Sequence, residues 1–410
     1  MHAVVLFIIV IITYVAASVL SGRTFVARRW MRQNLFSSRW NGVLTVVTVA
    51  VFALGAVSFL RFVFVNAEWE SVNVNRRLLF LGIFPGGEEW RLWPPLWLFA
   101  TVAGLGYGLW GRVTARELVI AGAAAAFIFL LLAEGDVAAL LAIAILLSAA
   151  GYVAGQAVPR ESPLDRVARR IAIAGGVAVL PLALLMLNLG EGVKTTEWGG
   201  VMLNMMLGAV GIGVGFPIGV LLALGRASSL PVVRLACTSY IEFVRAGPLI
   251  LWLAMARFVL PSFLPTVGGI DEVDLVIRAM MVFAGFSAAY IAEVVRGGLQ
   301  AIPRGQREAA EAVGLNALQT TWYIVLPQAL RAVVPALVNR FVSLWKDTSL
   351  VVVLGFVDLL GASRAISAQP DFVGRQAEAL LFAAFVFWSV SFTMSRLSGR
   401  VERQLGLGVR

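Results

Sequence analysis

Residues Glu308–Pro327 read EAAEAVGLNALQTTWYIVLP, a polar, helix-forming stretch set between long apolar runs. Residues 304–314, RGQREAAEAVG, are rich in Ala and Glu, which favour helix, and Gly314 is placed to end or turn it. The stretch is too polar to cross a bilayer. Ala309 and Ala310 keep one face slim enough to approach a groove closely, and Glu308 and Glu311 are available to basic groups on a partner. Pro327 permits a break before the next apolar run. Taken alone, the stretch is either a docking helix or a surface amphipathic helix with no partner, and its flanks decide the fold.

Those flanks are apolar. Of 410 residues, 60% are hydrophobic and 14% charged, with a mean hydropathy of +0.88; soluble domains are about half apolar and a quarter charged. Runs near bilayer-spanning length recur about eleven times. Six lie at roughly 1–20, 42–65, 92–110, 117–133, 137–155 and 171–189, and five at roughly 200–224, 237–260, 276–295, 332–356 and 378–396. The runs are continuous rather than alternating, so the expected fold is an all-α polytopic membrane protein. The net charge of +10 comes from arginines in short loops between spans, which the positive-inside rule explains better than nucleic-acid binding. Cys237 and His2 are the single cysteine and histidine, which excludes an internal disulfide, a His/Cys metal site and a His-based catalytic centre.

Loop charges orient the chain. With the N-terminus outside and eleven spans, the C-terminus and arginines such as Arg28, Arg112, Arg166, Arg226, Arg304 and Arg403 face the cytoplasm, and Glu68, Glu88, Glu89, Glu191 and Asp271 lie outside. Residues 304–314 then lie in the cytoplasm. The first run is either a retained helix or a signal peptide, although no basic region precedes it. Trp69, Trp90, Trp93, Trp97 and Trp110 read as interfacial anchors or, alternatively, as stacking surfaces. Residues 156–170 read as a cytoplasmic linker and 190–199 as an outside break. This places a domain boundary near 195, between a bundle of about six helices (1–195) and a second unit, 196–410.

The segment EAA…G…I-x-LP, anchored by Glu308, Ala309, Ala310, Gly314, Ile324, Leu326 and Pro327, resembles the cytoplasmic coupling loop of ABC importer permeases. Its surroundings carry the resemblance further: YIEFVRAGPL (240–249), SAAYIAEVVRGGLQAIP (287–303) and LPQALRAVVPALVNRFVSLWKDTSLV (326–351) are similar to the polar amino-acid uptake branch. More loosely, NLFSSRWNGVLT (34–45) and PGGEEWR (85–91) resemble the enlarged permease subunit of general or neutral amino-acid importers.

The resemblance implies a C-terminal type I core of five helices and a coupling helix at about 300–326 formed by Gln306, Glu308, Ala309, Ala310, Gly314, Leu326 and Pro327. It also implies a homologous second permease in a heterodimer, two cytoplasmic ATPases, an extracytoplasmic amino-acid-binding protein, and alternating access in a bacterial inner membrane. No Walker A spacing occurs, so the expected cofactors, ATP and Mg, belong to the partner ATPases and this chain is not itself an enzyme. The cargo expected is a polar, acidic or neutral amino acid. An ion-driven secondary transporter is the alternative. Two positions depart from the family pattern: Arg245, Ala246, Gly247 and Pro248 displace a glycine by one residue, and Arg340 stands where an uncharged glutamine is expected.

An amino acid in transit presents an ammonium and a carboxylate, so ionisable groups at membrane depth are pathway candidates. Lys346, Asp347, Thr348 and Ser349 either line the cavity or include a Lys–Asp pair that closes the bundle. Arg340 either binds a carboxylate or snorkels to the interface. Glu242 and Arg245, and Glu293 and Arg296, are each three apart and able to pair along a helix; with Pro248 they read as structural or gate residues. Gly208, Gly211, Gly213, Gly215 and Gly219, with Pro217, serve either close packing or a hinge.

Overall fold

A computed structural model describes residues 30–111, 136–263 and 273–404. The spans expected at 1–20 and 117–133 lie outside the described residues. Among those described the chain is helical throughout, with one isolated bridge, Gly200 to Asp358, in place of any strand. Among the described residues, seven helices are long and apolar enough to cross a membrane, or eight if one bent pair counts as a span.

The chain forms two compact units, Met1–Glu70 and Ser71–Arg410. In the first, α1 (Arg39–Arg61) starts at Ser38, whose hydroxyl accepts from the Asn41 N–H, and ends in a π turn, Phe62–Asn66. Its membrane window is 0% buried within the described chain.

The second unit begins with α2 (Arg76–Leu81) and α3 (Trp93–Trp110). Two prolines, three tryptophans and three glycines dilute the apolar content of α3, and it falls outside the seven spans. It packs on α4 (Asp136–Ala157) through facing glycines. A methyl group on Gly108 would sit 2.4 Å from the Tyr152 carbonyl oxygen and 2.9 Å from the Gly155 Cα. The spacing is small-xxx-small on both helices, Gly104/Gly108 and Gly151/Gly155, which brings the backbones together. α5 (Pro163–Asn188) starts inside the stretch expected to be linker, because the Ser162 hydroxyl caps the Asp165 N–H and Pro163 presets the first turn.

α6 (Gly200–Gly213) and α7 (Gly215–Arg226) form one long span with a local break at Val214. Its glycines are packing contacts. Gly211 lies against Leu344 and Phe283, and Gly215 and Gly219 lie against Ser287, Ala288 and Ile291 of α10 (Leu275–Ala301). α10 is the central span, with 61% of its window buried. The run at 237–260, expected as one span, is broken: α8 (Pro231–Ala246) and α9 (Leu249–Phe258) meet at a 97° bend. Gly247 and Pro248 make that break, since Pro248 has no N–H to continue the ladder and holds the residue before it in an extended conformation.

α11 (Arg304–Ala312) leads through a turn into α12 (Leu326–Asp347), which tightens into a 3-10 segment, Thr348–Leu354. α13 (Leu359–Ser367) and α14 (Gln376–Gln404) complete the unit. One apolar core joins α6, α9, α10 and α12 around Phe283, Leu203, Leu207 and Leu344. A second joins α7, α8, α10 and α12 around Ile241, Ile291 and Val295.

Candidate functional site

The segment that opened the sequence analysis is helical only over α11. Pro303 precedes it, and Gly314 stops it with φ +81°. The Leu315 N–H bonds to the Ala310 carbonyl (3.1 Å) and the Gly314 N–H to the Glu311 carbonyl (2.9 Å), a Schellman ending. Glycine is required here by conformation rather than by space, because a methyl group would meet nothing within 4 Å. Asn316 and Gln319 then form a reciprocal capping box, and a π turn, Thr320–Val325, carries the chain into α12. The stretch expected as one coupling helix at about 300–326 is thus a helix, a turn and the start of the next span.

Of the candidate coupling residues, Ala310, Leu326 and the neighbouring Val325 are buried, and they fasten the loop to the core. Gln306, Glu308, Ala309 and Gly314 stay exposed, with Pro327. The Gln328 side chain donates to Gln306 Oε1 (3.2 Å), tying α11 to α12. Sequence reading passed over three exposed apolar side chains beside this face: Val313 (77% exposed), Leu318 (68%) and Tyr323 (71%). An apolar residue in a polar stretch between spans was their only signal.

The charged candidates form two groups. In the first, Glu293 is the hub: it accepts from Arg296 and from Arg226 (3.2 Å), and Arg245 lies 3.5 Å away. Glu242 pairs with Arg226 (2.9 Å) rather than with Arg245. The expected Glu242–Arg245 pair is therefore replaced by pairs between helices, because the ends of α7 and α10 bring their own charges against α8. The Glu293–Arg296 pair forms along α10.

In the second group, Arg340 lies 14% exposed on α12, with its Cζ 4.3 Å from the Tyr290 ring centroid and 5.4 Å from that of Phe286. Its nearest carboxylate, Asp347, is 3.8 Å away, and its Nε and Nη2 have no hydrogen-bond partner among the described residues. Arg245 stands over the same Tyr290 ring at 5.4 Å, and its Nε is also without an acceptor. Buried donors left unmet cost about 1–3 kcal/mol each, more when charged, so an acceptor placed here would gain that much.

The Lys-Asp-Thr-Ser group does not stay together. Lys346 is exposed and Asp347 turns to Arg340, so the alternative of a Lys–Asp closing pair does not form. The 3-10 turn carries Thr348 into the core, where its hydroxyl donates to the Trp345 carbonyl (2.7 Å) and accepts from Asn204 (3.2 Å). Ser349 donates to the Lys346 carbonyl. Asn204, which sequence reading missed, is wholly buried. Its amide donates to Asp358 (3.1 Å), and its oxygen accepts from the Leu359 N–H (3.0 Å). A polar residue in an otherwise apolar span was the available clue.

With this geometry in view, relatives can be compared. The family of binding-protein-dependent transport system inner membrane components matches residues 215–406. The Escherichia coli (strain K12) "Inner membrane amino-acid ABC transporter permease protein YhdY" is 42% identical over 241 residues, covering 58% of this chain and 65% of YhdY. The Rhodobacter capsulatus "Glutamate/glutamine/aspartate/asparagine transport system permease protein BztC" is 35% identical over 416 residues, covering 92% of this chain and 94% of BztC. This chain belongs to the binding-protein-dependent inner-membrane permease family. It is an ABC importer permease, a multi-span inner-membrane subunit that is not itself catalytic. The shorter "Glutamate/aspartate import permease protein GltK" of Escherichia coli O6:H1, 35% identical, spans half of this chain, whereas the similarity to BztC runs through the N-terminal helices as well. In this permease the match begins at the first residue of α7, so the charged hub, the Arg340 group and the coupling segment all lie within it.

Proposed function

We propose that this permease imports polar amino acids, glutamate, glutamine, aspartate and asparagine foremost. The observation that carries the reading is similarity over nearly the whole chain to BztC, whose name states that set of cargoes. Arg340 supports it: a guanidinium at membrane depth with two unmet N–H groups suits a carboxylate or carboxamide in transit. Arg340, Asp347, Lys346 and Ser349 form the pathway group, and Thr348 sets the backbone there through Asn204.

An extracytoplasmic binding protein delivers the amino acid. A homologous second permease completes the pathway, and two cytoplasmic ATPases, holding ATP and Mg, dock on the exposed side of α11. Residues 1–195 are an added membrane extension and 196–410 the transport core, with the N-terminus outside.

Uptake of labelled glutamate, glutamine, leucine and arginine, with and without the gene and before and after ATP depletion, tests this. Gene- and ATP-dependent glutamate uptake is the expected result; uptake that survives ATP depletion rejects it. Arg340→Gln lowers glutamate uptake relative to leucine by roughly tenfold, the worth of one charged hydrogen bond. An unchanged ratio removes Arg340 from carboxylate recognition.

A further inference from the structure

Between the ends of α7 and α10 and the start of α11 lies a cavity of about 590 Å³. Arg226, Arg296, Arg304 and Arg307 line it, with Glu308 as the carboxylate of the lining. Glu293 and Glu242 already pair with Arg226, and Glu293 with Arg296, so these two arginines are anchored and partly buried. This leaves Arg304 and Arg307, both exposed, as the arginines of the wall with no ion pair among the described residues. Leu299 and Ile302 give the cavity an apolar side at the point where α10 ends.

We infer that this cavity binds a phosphate-bearing anion. Two arginines without an ion pair, Arg304 and Arg307, beside two already held by carboxylates suit a group with three or four oxygens better than a single carboxylate, which one fork satisfies. The volume is that of a small-molecule site. The position, at the end of a membrane span with an apolar flank, suits a phospholipid headgroup; a free phosphate compound meets the same arginines. The bound anion bridges the spans, through Arg226 and Arg296, to α11, through Arg304 and Arg307. It therefore steadies the element proposed to receive the ATPase.

The test uses the purified full-length chain. Native mass spectrometry reads retention of phosphatidylglycerol against phosphatidylcholine, and calorimetry in phosphatidylcholine nanodiscs reads inorganic phosphate binding. The wild type retains phosphatidylglycerol preferentially. R304Q/R307Q reduces that retention on the order of tenfold, since each basic residue near an anionic lipid contributes a several-fold factor, while R304K/R307K preserves most of it. E308Q removes the opposing charge and raises retention. Preference for phosphatidylglycerol without phosphate binding identifies the lipid as the source; phosphate binding abolished in R304Q/R307Q without lipid preference identifies a free phosphate. Equal retention and equal phosphate binding in the wild type and R304Q/R307Q overturn the inference, and so does weaker binding in E308Q. Neither readout involves amino-acid transport, so failure here leaves the cargo reading untouched.

Discussion

At the scale of single residues, Gly314 and Glu89 each depend on one physical effect. Gly314 holds φ +81° with open space around it, so Gly314→Ala introduces a left-handed penalty of about 1 kcal/mol and no clash. The expected readout is roughly fivefold faster amide exchange at Leu315, whose bond to Ala310 closes the Schellman ending. Unchanged exchange places the constraint elsewhere. Glu89 lies in the loop before α3. Partial burial pushes its carboxyl up, but the Arg77 side chain (2.9 Å), the Gly87 N–H (2.7 Å) and the Arg77 charge outweigh this and hold it below the usual carboxylate range. A depressed folded-state value means that the contribution is present above the ordinary carboxylate range and is lost as pH falls through the depressed value. The stability difference between wild type and Glu89→Gln should therefore shrink on acidification. It should be small at neutral pH, because the pair is one-third to one-half exposed. A difference that grows with acid counts against the pairing.

At the scale of elements, helix existence was legible and helix geometry was not. The apolar runs at 42–65, 137–155, 171–189, 276–295 and 378–396 each became a helix, because only a helix satisfies its backbone within one segment in lipid. The 97° break at 246–249 sits at Gly247-Pro248, the place where the chain departs from the family pattern, but its angle depends on what α8 and α9 pack against. The α3–α4 contact makes a clean comparison. Gly108→Leu forces two touching backbones apart and should lower the thermal midpoint of the purified chain by several degrees, as overpacking costs about 1–3 kcal/mol. Gly55→Leu on α1, where nothing lies within 4 Å, should leave it unchanged. Equal midpoints for the two variants reject close packing as the role of Gly108.

At the scale of the whole molecule, Asn204 joins α6 to the 3-10 turn after α12 and to the start of α13, partners 144 to 155 residues away in the chain. Asn204→Ala leaves the buried Leu359 N–H without its acceptor and takes one of two bonds from each of Thr348 and Asp358. We expect a loss of about 2–4 kcal/mol, seen as a lower thermal midpoint with the helix content retained. A midpoint within a degree of wild type shows that other groups satisfy those atoms.

The sequence by itself determined the class of the molecule, most of the described apolar helices and the family. All of these rest on composition and on patterns within a few tens of residues, where hydrophobic length and helix chemistry act locally. Which charges meet was decided only by the tertiary structure. Helical spacing lets Glu242 pair three residues ahead with Arg245, but it pairs with Arg226, because helix packing brings distant charges closer than helical spacing does. Thr348 read as a neighbour of Lys346 but faces Asn204, because a 3-10 turn rotates successive side chains by a different angle from an α-helix. The arginine-lined cavity has residues from three helices, and its arginines meet only where α7 and α10 end and α11 begins.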